Sequence, residues 1–287
     1  MRIAILTPDP EDPAYQGRWS QVRDRMVGPL AALSVEVESR SWIEVEDWNA
    51  FDLVLPLTAW GYHRDHFGWL NVTDGWEFSR APVLNPPSVL RWNSDKRYLD
   101  RLQRLALPVI PTVFVDELDQ AALDRAIDLC GSEELVVKPQ VSASAYQTSR
   151  VRPGQVVQDP PEGPAMIQPY MGEVAFDGEL SLIYLGGQFS HAIRKVARTG
   201  DFRVQPEWGG RISEYRPDAD VLAAADRILE HVEEPLLYAR VDMVRGPDRK
   251  PLLMELELIE PDLYLDFDPL RGEGFARAVA AAAAASR

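Results

Sequence analysis

The residues best equipped for chemistry in this chain fall in two short segments, Ala239-Arg-Val-Asp242 and Met254-Glu-Leu-Glu257. Side chains alternate faces along a strand, so Glu255 and Glu257 point the same way, and a hairpin joining the segments sets Asp242 beside them. Three carboxylates on one face repel each other without a counter-charge. Oxygen-only ligands suit a hard cation such as magnesium, which keeps some waters and also binds phosphates. A sheet face of solvated acids is the alternative that spacing alone leaves open. Under the metal reading, neutralising one carboxylate need not destabilise the fold.

Two lysines stand apart from ordinary surface lysines. Lys138 ends the apolar run Leu135-Val-Val-Lys-Pro139, just before the small-residue loop Gln140–Ala145. Lys96 opens a helical stretch, where the positive dipole end disfavours a cation but suits a bound phosphate that the lysine also reaches. Ser142 and Ser144 lie in the loop, which either folds over a ligand or merely connects. Gln168-Pro-Tyr170 follows another apolar run. Its proline removes a donor, and an open backbone edge there suits the rim of a flat base; a simple turn is the plainer alternative.

These segments need an alternating framework to hold them. Strands are predicted at Arg2–Leu6, Ser34–Ser41, Phe51–Leu57, Val109–Val115, Leu135–Pro139 and Ala165–Tyr170. A hairpin is predicted over Leu180–Leu185 and Gln188–Val196 across Gly186-Gly187, and two more strands over Leu236–Val244 and Pro251–Ile259. Helices are predicted at Trp19–Leu33, Ser94–Leu107 with Ser94 as N-cap, Asp119–Leu129, Asp218–Val232 and Gly274–Ala285. The opening order implies a parallel α/β lobe whose loops collect ligands at the strand C-termini. Arg18, Trp19, Trp60, Tyr62 and His63 fall in or beside those loops, and mixed basic and aromatic residues suit a small zwitterion. Eight tryptophans must also pack somewhere.

With 287 residues the chain has room for two or three lobes, and its net charge of −15 argues against a nucleic-acid partner without excluding a nucleotide. The single cysteine, Cys130, rules out an internal disulfide and reads as packing. The four histidines form no metal-ligand pattern. No apolar run approaches the roughly 20 residues of a membrane span, and the first residues do not resemble a signal peptide; a cytoplasmic location is expected.

Taken in order, Asn-Ser-Asp-Lys96, Val-Val-Lys138-Pro, Met-Ile-Gln168-Pro-Tyr, Asp-Gly-Glu179, Arg-Val-Asp242 and Glu-Leu-Glu257 form a series. It resembles the ATP-grasp superfamily, in its glutathione synthetase-like and D-alanine–D-alanine ligase-like branch, over about the last two-thirds of the chain. The resemblance implies α/β and α+β architecture: a parallel α/β lobe at 1–92, a central lobe at 93–170 and a C-terminal lobe at 171–287, the last two enclosing ATP. It places Lys96 and Lys138, with Ser142 and Ser144, on the ATP phosphates, the backbone of Gln168, Pro169, Tyr170 and Met171 on the adenine edge, and Glu179 on the ribose. Asp242, Glu255 and Glu257 would hold Mg2+, with Mn2+ as a substitute. Arg240 would lie at the reacting carbonyl, with Arg203 and Arg211 engaging phosphate and substrate.

The implied activity is an ATP-dependent carboxylate–amine ligation through an acyl phosphate. The substrate would be small and amino-acid-like; no membrane is involved, and a homodimer is compatible. Small-substrate enzymes of this branch include dipeptide formers and one that cyclises O-ureido-serine to D-cycloserine. A nucleotide-binding sensor module and a kinase on the same fold are the rivals. Two departures stand out: Ser-Ala-Ser-Ala replaces the usual glycine-rich loop, and Glu257 replaces a frequent asparagine. After Glu257, the Leu-Ile-Glu-Pro-Asp-Leu-Tyr264 run lacks the usual small polar residues, which leaves the acceptor site open.

Overall fold

The computed structural model describes residues 1–15, 17–152, 154–157, 159–198, 204 and 209–285. The first lobe is built on β1 (Arg2–Thr7), α1 (Trp19–Ala32), β2 (Glu36–Ser41), β3 (Leu53–Leu55), α2 (His66–Ser79) and α3 (Pro87–Ser94). Its sheet is parallel in the order β2-β1-β3, as the alternation of strands and helices predicts. Ile3 to Leu6 and Leu53 to Leu55 are buried on both faces, which is what a covered parallel sheet requires. Helix α2 was not expected. Gly68, Gly75 and β-branched residues weaken its propensity, yet Asp65 caps it through the Gly68 N–H and Trp69, Thr73 and Trp76 bury one face. Trp42, Trp48, Trp69 and Trp76 form an edge-to-face stack in this lobe, so half of the tryptophans are core.

The predicted helix over Ser94–Leu107 shortens to α4 (Tyr98–Arg104), and Ser94 instead ends the preceding α3. Ser94 is the last residue of α3 and its hydroxyl donates back to the Arg91 carbonyl, so it is not an N-cap. Asp95 turns extended, and the Lys96 N–H donates to the Gln140 carbonyl at 3.0 Å. Lys96 therefore sits in the break, tied to the loop that follows Lys138. The predicted strand Val109–Val115 also divides. Val109 bridges to Leu253 of one sheet, and only β4 (Val113–Val115) joins another.

That second sheet is antiparallel, in the order β4-β7-β5-β6, with β5 (Leu135–Pro139), β6 (Ser149–Val151) and β7 (Ala165–Pro169) covered by α5 (Gln120–Cys130). The third sheet is antiparallel in the order β10-β9-β8-β11-β12. It comprises β8 (Glu179–Leu185), β9 (Gln188–Val196), β10 (Arg211–Tyr215), β11 (Tyr238–Arg245) and β12 (Pro251–Glu257), with α6 (Val174–Asp177) before β8 and α7 (Ala219–Leu229) packed on its outer face. Helix α8 (Glu273–Ala285) returns to the first lobe: Phe275 and Val279 share a core with Ile3, Ile5 and Leu55. Residues of the segment 171–287 thus contribute to several cores, including one shared with the first lobe. No described helix is long and apolar enough to cross a membrane.

Strand β12 lies at the edge of its sheet, and side chains close that edge. Asn93 donates to the Leu256 carbonyl and accepts from the Leu258 N–H, Tyr98 exchanges both bonds with Leu256, and Asn85 donates to the Leu258 carbonyl. Further along, the backbone of Pro108 and Ile110 pairs with Leu253. Backbone groups of an edge strand must find partners when buried, and here α3, α4 and the segment before β4 supply them.

Candidate active site

Two β-bulges assemble the charged face. In the β11–β12 ladder Met243 pairs with Leu253, but beyond the bulge Asp242 pairs with Glu255 and Arg240 with Glu257. A regular ladder would set Asp242 opposite Met254, on the wrong face; one extra residue turns it toward the two glutamates. In the β8–β9 hairpin a second bulge sets Lys195 opposite Glu179. Beside them, Ser181 on β8 pairs with Asp242 and donates to its carboxylate at 2.5 Å.

This face lines a cavity of about 850 Å³ between the sheets and the first lobe. Arg240 is buried and its Nε and Nη2 grip both oxygens of Asp242 at 3.0 Å, while Nη2 also donates to Glu257. Lys195 lies 2.6 Å from Glu179 and 3.6 Å from Asp242. Lys96 donates to the Ser142 carbonyl and lies 3.0 Å from Glu255. Lys138 lines the cavity with no hydrogen bond or ion pair among the described residues.

The charges are unevenly balanced. Burial works to raise Asp242 and Glu255, but Arg240 holds Asp242 below its usual range, and Lys96 with Lys138 does the same for Glu255. Burial lifts Glu257 to about 7 despite Arg240. Burial also raises Glu179, and it raises Glu260 well above the carboxylate range, with Glu257 adding to the effect. Lys138 is lowered by burial, against the pull of Glu255. Five acids, Glu179, Asp242, Glu255, Glu257 and Glu260, stand against four cations, so ionising all five would leave an excess of negative charge that a divalent cation relieves. As the side chains stand, no group of three His, Cys, Asp or Glu among the described residues is arranged to hold a metal. Arg240 and Lys96 occupy the carboxylates, so the trio fits a metal once those cations turn to an anionic ligand. The expectation that neutralising any of the three is harmless also changes, because Glu255 is the counter-ion of a buried lysine.

The other expected residues are partly gathered here. Ser142, Ser144, Gln168, Pro169, Tyr170, Met171, Glu179, Arg18, Trp60, Tyr62 and His63 line the cavity. Strand β4 ends opposite Ile167, so from Gln168 onward one backbone edge has no neighbouring strand. The Tyr170 N–H already donates to the Glu134 carbonyl at 2.7 Å, so it is not free for a ligand. Glu179 is held by Lys195 rather than standing free. Trp19 and Arg211 do not line the cavity: Trp19 lies under the Arg23 guanidinium, and Arg211 is exposed on the edge strand β10. Arg203 lies outside the described residues, as does Trp208. The loop after Lys138 takes the left-handed conformation at Ser144, Ala145 and Gln147 without glycine. Tyr146 in that loop packs on His63 at 5.9 Å. Burial lowers His63 to about 4, with Arg64 adding to the effect.

Sequence reasoning missed Lys195, Tyr15, Tyr146 and Glu260, all of which line the cavity. Lys195 had a signal in the Gly186-Gly187 hairpin, but the bulge hid its register. Glu260 was noticed only as part of a departure from the family pattern.

Comparison with known proteins decides the family. The chain is 31% identical over 257 residues to the cycloserine biosynthesis protein DcsG of Streptomyces lavendulae, covering 82% of this chain and 84% of that protein. The chain belongs to the DcsG family. The N-terminal domain of D-cycloserine synthetase DcsG matches residues 3–85, the part of the chain that carries Trp60, Tyr62 and His63. The crystal structure of D-cycloserine synthetase DcsG superposes with a TM-score of 0.83 at 24% identity over 100% of both chains. The D-alanine–D-alanine ligase of Bacillus anthracis in complex with ATP superposes with a TM-score of 0.70 at 16% identity over 99% of this chain and 98% of that one. The fold is ATP-grasp, as the ordered series of motifs implied. This DcsG-family chain is an ATP-dependent ligase of the kind that forms C–N bonds.

Proposed function

We propose that the chain uses Mg-ATP to convert the carboxylate of a small amino-acid-like substrate into an acyl phosphate, which a nitrogen of the same substrate attacks to close a ring. One observation carries this reading: Lys96, Lys138, Lys195 and Arg240 meet Asp242, Glu255 and Glu257 in a single cavity whose other wall comes from the segment shared with the DcsG N-terminal domain. Ile110, Val136, Met171, Val204 and Met254 make an apolar slot beside the open backbone edge at Gln168 and suit an adenine ring. The lysines suit the phosphates as point charges. Asp242, Glu255 and Glu257 would hold magnesium, which neutralises phosphate charge when bound. Arg240 is placed to stabilise negative charge growing on the acyl oxygen as the nitrogen adds and phosphate leaves. No protein nucleophile is required.

Incubation with Mg-ATP and O-ureido-D-serine tests this, with ADP followed by a coupled assay and the organic product by mass spectrometry. Substrate-dependent release of ADP and phosphate is expected, with D-cycloserine appearing together with the CO2 and ammonia that hydrolysis of the ring-bound carbamoyl group by water sets free. ADP release indifferent to every amino acid would refute it, and accumulation of a stable phosphorylated substrate would show a kinase instead.

A further inference from the structure

The acids lining the cavity have cationic partners, with one exception. Asp242 and Glu257 share Arg240, Glu179 has Lys195, Glu255 has Lys96, and Asp262 and Asp266 both meet Arg25. Glu260 lines the same cavity and has no hydrogen bond or ion pair among the described residues. It is held there by its neighbours in sequence. Ile259 is buried in the first-lobe core and its carbonyl accepts from the Tyr238 hydroxyl at 2.8 Å, and Pro261 is buried on the other side. The carboxyl is therefore fixed between the Arg240 face and the aromatic wall of the first lobe.

That wall is Tyr15, Trp60 and Tyr62, with Tyr15 and Trp60 in ring contact at 5.9 Å. Tyr62 lines the same wall, its ring packed on Trp69 at 5.2 Å. A half-buried carboxylate without a counter-ion is costly, and the cost is reduced when a ligand brings a positive charge. A metal ion is a poor match for this one carboxylate, because it needs several oxygen ligands and the carboxylates assigned to magnesium are Asp242, Glu255 and Glu257. A primary ammonium is a good match: it has three donors, it bonds carboxylate and phenol oxygen together, and aromatic faces favour cations. The position suits an ammonium on the carbon next to a carboxylate that reacts at Arg240.

We propose that Glu260, facing the cavity wall formed by Tyr15, Trp60 and Tyr62, binds the α-ammonium group of the substrate and so restricts the enzyme to amino acids over their deaminated or hydroxylated counterparts. This rests on the reading that a substrate carboxylate is activated at Arg240.

The test compares O-ureido-D-serine with its deamino counterpart, 3-(ureidooxy)propanoate, on wild type, Glu260→Gln and Glu260→Ala. Binding is measured by calorimetry at saturating magnesium and a non-hydrolysable ATP analogue, and ADP release is followed separately with ATP. Wild type is expected to bind the amino compound about 10- to 100-fold more tightly than the deamino one, the worth of a hydrogen-bonded charge pair. Glu260→Gln should lose most of that preference, weaken the amino compound by a similar factor, leave the deamino compound unchanged and retain nucleotide affinity, which shows that it folds. Equal preference in wild type and Glu260→Gln overturns the proposal even if both release ADP. A preference that vanishes in the variant while neither protein releases ADP sustains Glu260 and refutes carboxylate activation. Failure of wild type to bind either compound overturns both readings.

Discussion

Replacing Glu255 and Glu257 with glutamine, one at a time, probes how the charged face is balanced. Glu255 is the ion-pair partner of Lys96, whose side chain is only 5% exposed. Removing one member of a buried pair costs roughly 3–5 kcal/mol because the other charge is stranded. Here the Glu255 side chain is 27% exposed and Lys96 keeps the Ser142 carbonyl, so about 1–3 kcal/mol is expected after discounting for solvent. For a chain of this size that lowers the melting temperature by roughly 2–10 °C. Glu257 differs, since burial already lifts it to about 7 and Arg240 keeps both bonds to Asp242. Glu257→Gln should change the apo melting temperature at pH 7 by less than about 2 °C, because a partly protonated acid loses little on becoming an amide. Its pH dependence follows. A carboxyl raised in the folded state binds more protons than in the unfolded chain between about 4.5 and 7, so its stabilising contribution is present at low pH and is lost as pH rises through about 7. Wild type should lose that component between about pH 4.5 and 7, and Glu257→Gln should not. Both variants should lose ADP release, having lost a carboxylate that faces the phosphates. Scanning fluorimetry across pH and a coupled ADP assay measure the two effects. An unchanged apo melting temperature in Glu255→Gln together with a large loss in Glu257→Gln would refute this assignment of counter-ions.

Lys138→Ala should weaken Mg-ATP binding by at least about 10-fold while leaving the apo fold intact, since Glu255, the acid that Lys138 helps to balance, keeps its ion pair with Lys96; equal affinity by calorimetry would remove Lys138 from the nucleotide site. Glu179→Ala should erase any preference for ATP over 2′-deoxy-ATP if the carboxylate reads the ribose, and competition binding with the two nucleotides decides it. His63 is held neutral to about pH 4, so the unfolded chain takes up its proton first and stability falls as pH drops from 6.5 toward 4, by at most about 3 kcal/mol. Urea unfolding at pH 7, 5.5 and 4.5 should show a shallower acid loss in His63→Phe, and parallel curves would count against the burial argument.

Much of the fold was legible because its signals are local. Apolar runs gave β1, β5, β7 and β12, and Gly186-Gly187 gave the β8–β9 hairpin. Helix α2 escaped because its two glycines conceal a face that only packing against the tryptophan stack rewards. The break at Asp95 escaped because nothing in Ser94–Leu107 forbids a continuous helix; the bond from Lys96 to Gln140 that accompanies the break is made across 44 residues. The charged face was legible in composition but not in register. Period-two spacing aligned Glu255 with Glu257, yet only a bulge brings Asp242 to their side and only another brings Lys195 to Glu179. Trp19 and Arg211 were chosen by type and neighbourhood, and their side chains fall outside the cavity.

The closed edge of β12 bears on how copies of this chain associate. A sheet grows across molecules by offering a free row of amides and carbonyls, and along β12 that row is already taken by Asn85, Asn93, Tyr98 and the backbone around Pro108. The strand that carries Glu255 and Glu257 is therefore insulated from strand exchange and from templated aggregation. Association by strand pairing would have to use another edge, at β10 or in one of the other two sheets, and so would not draw on the strand that sets the carboxylate spacing.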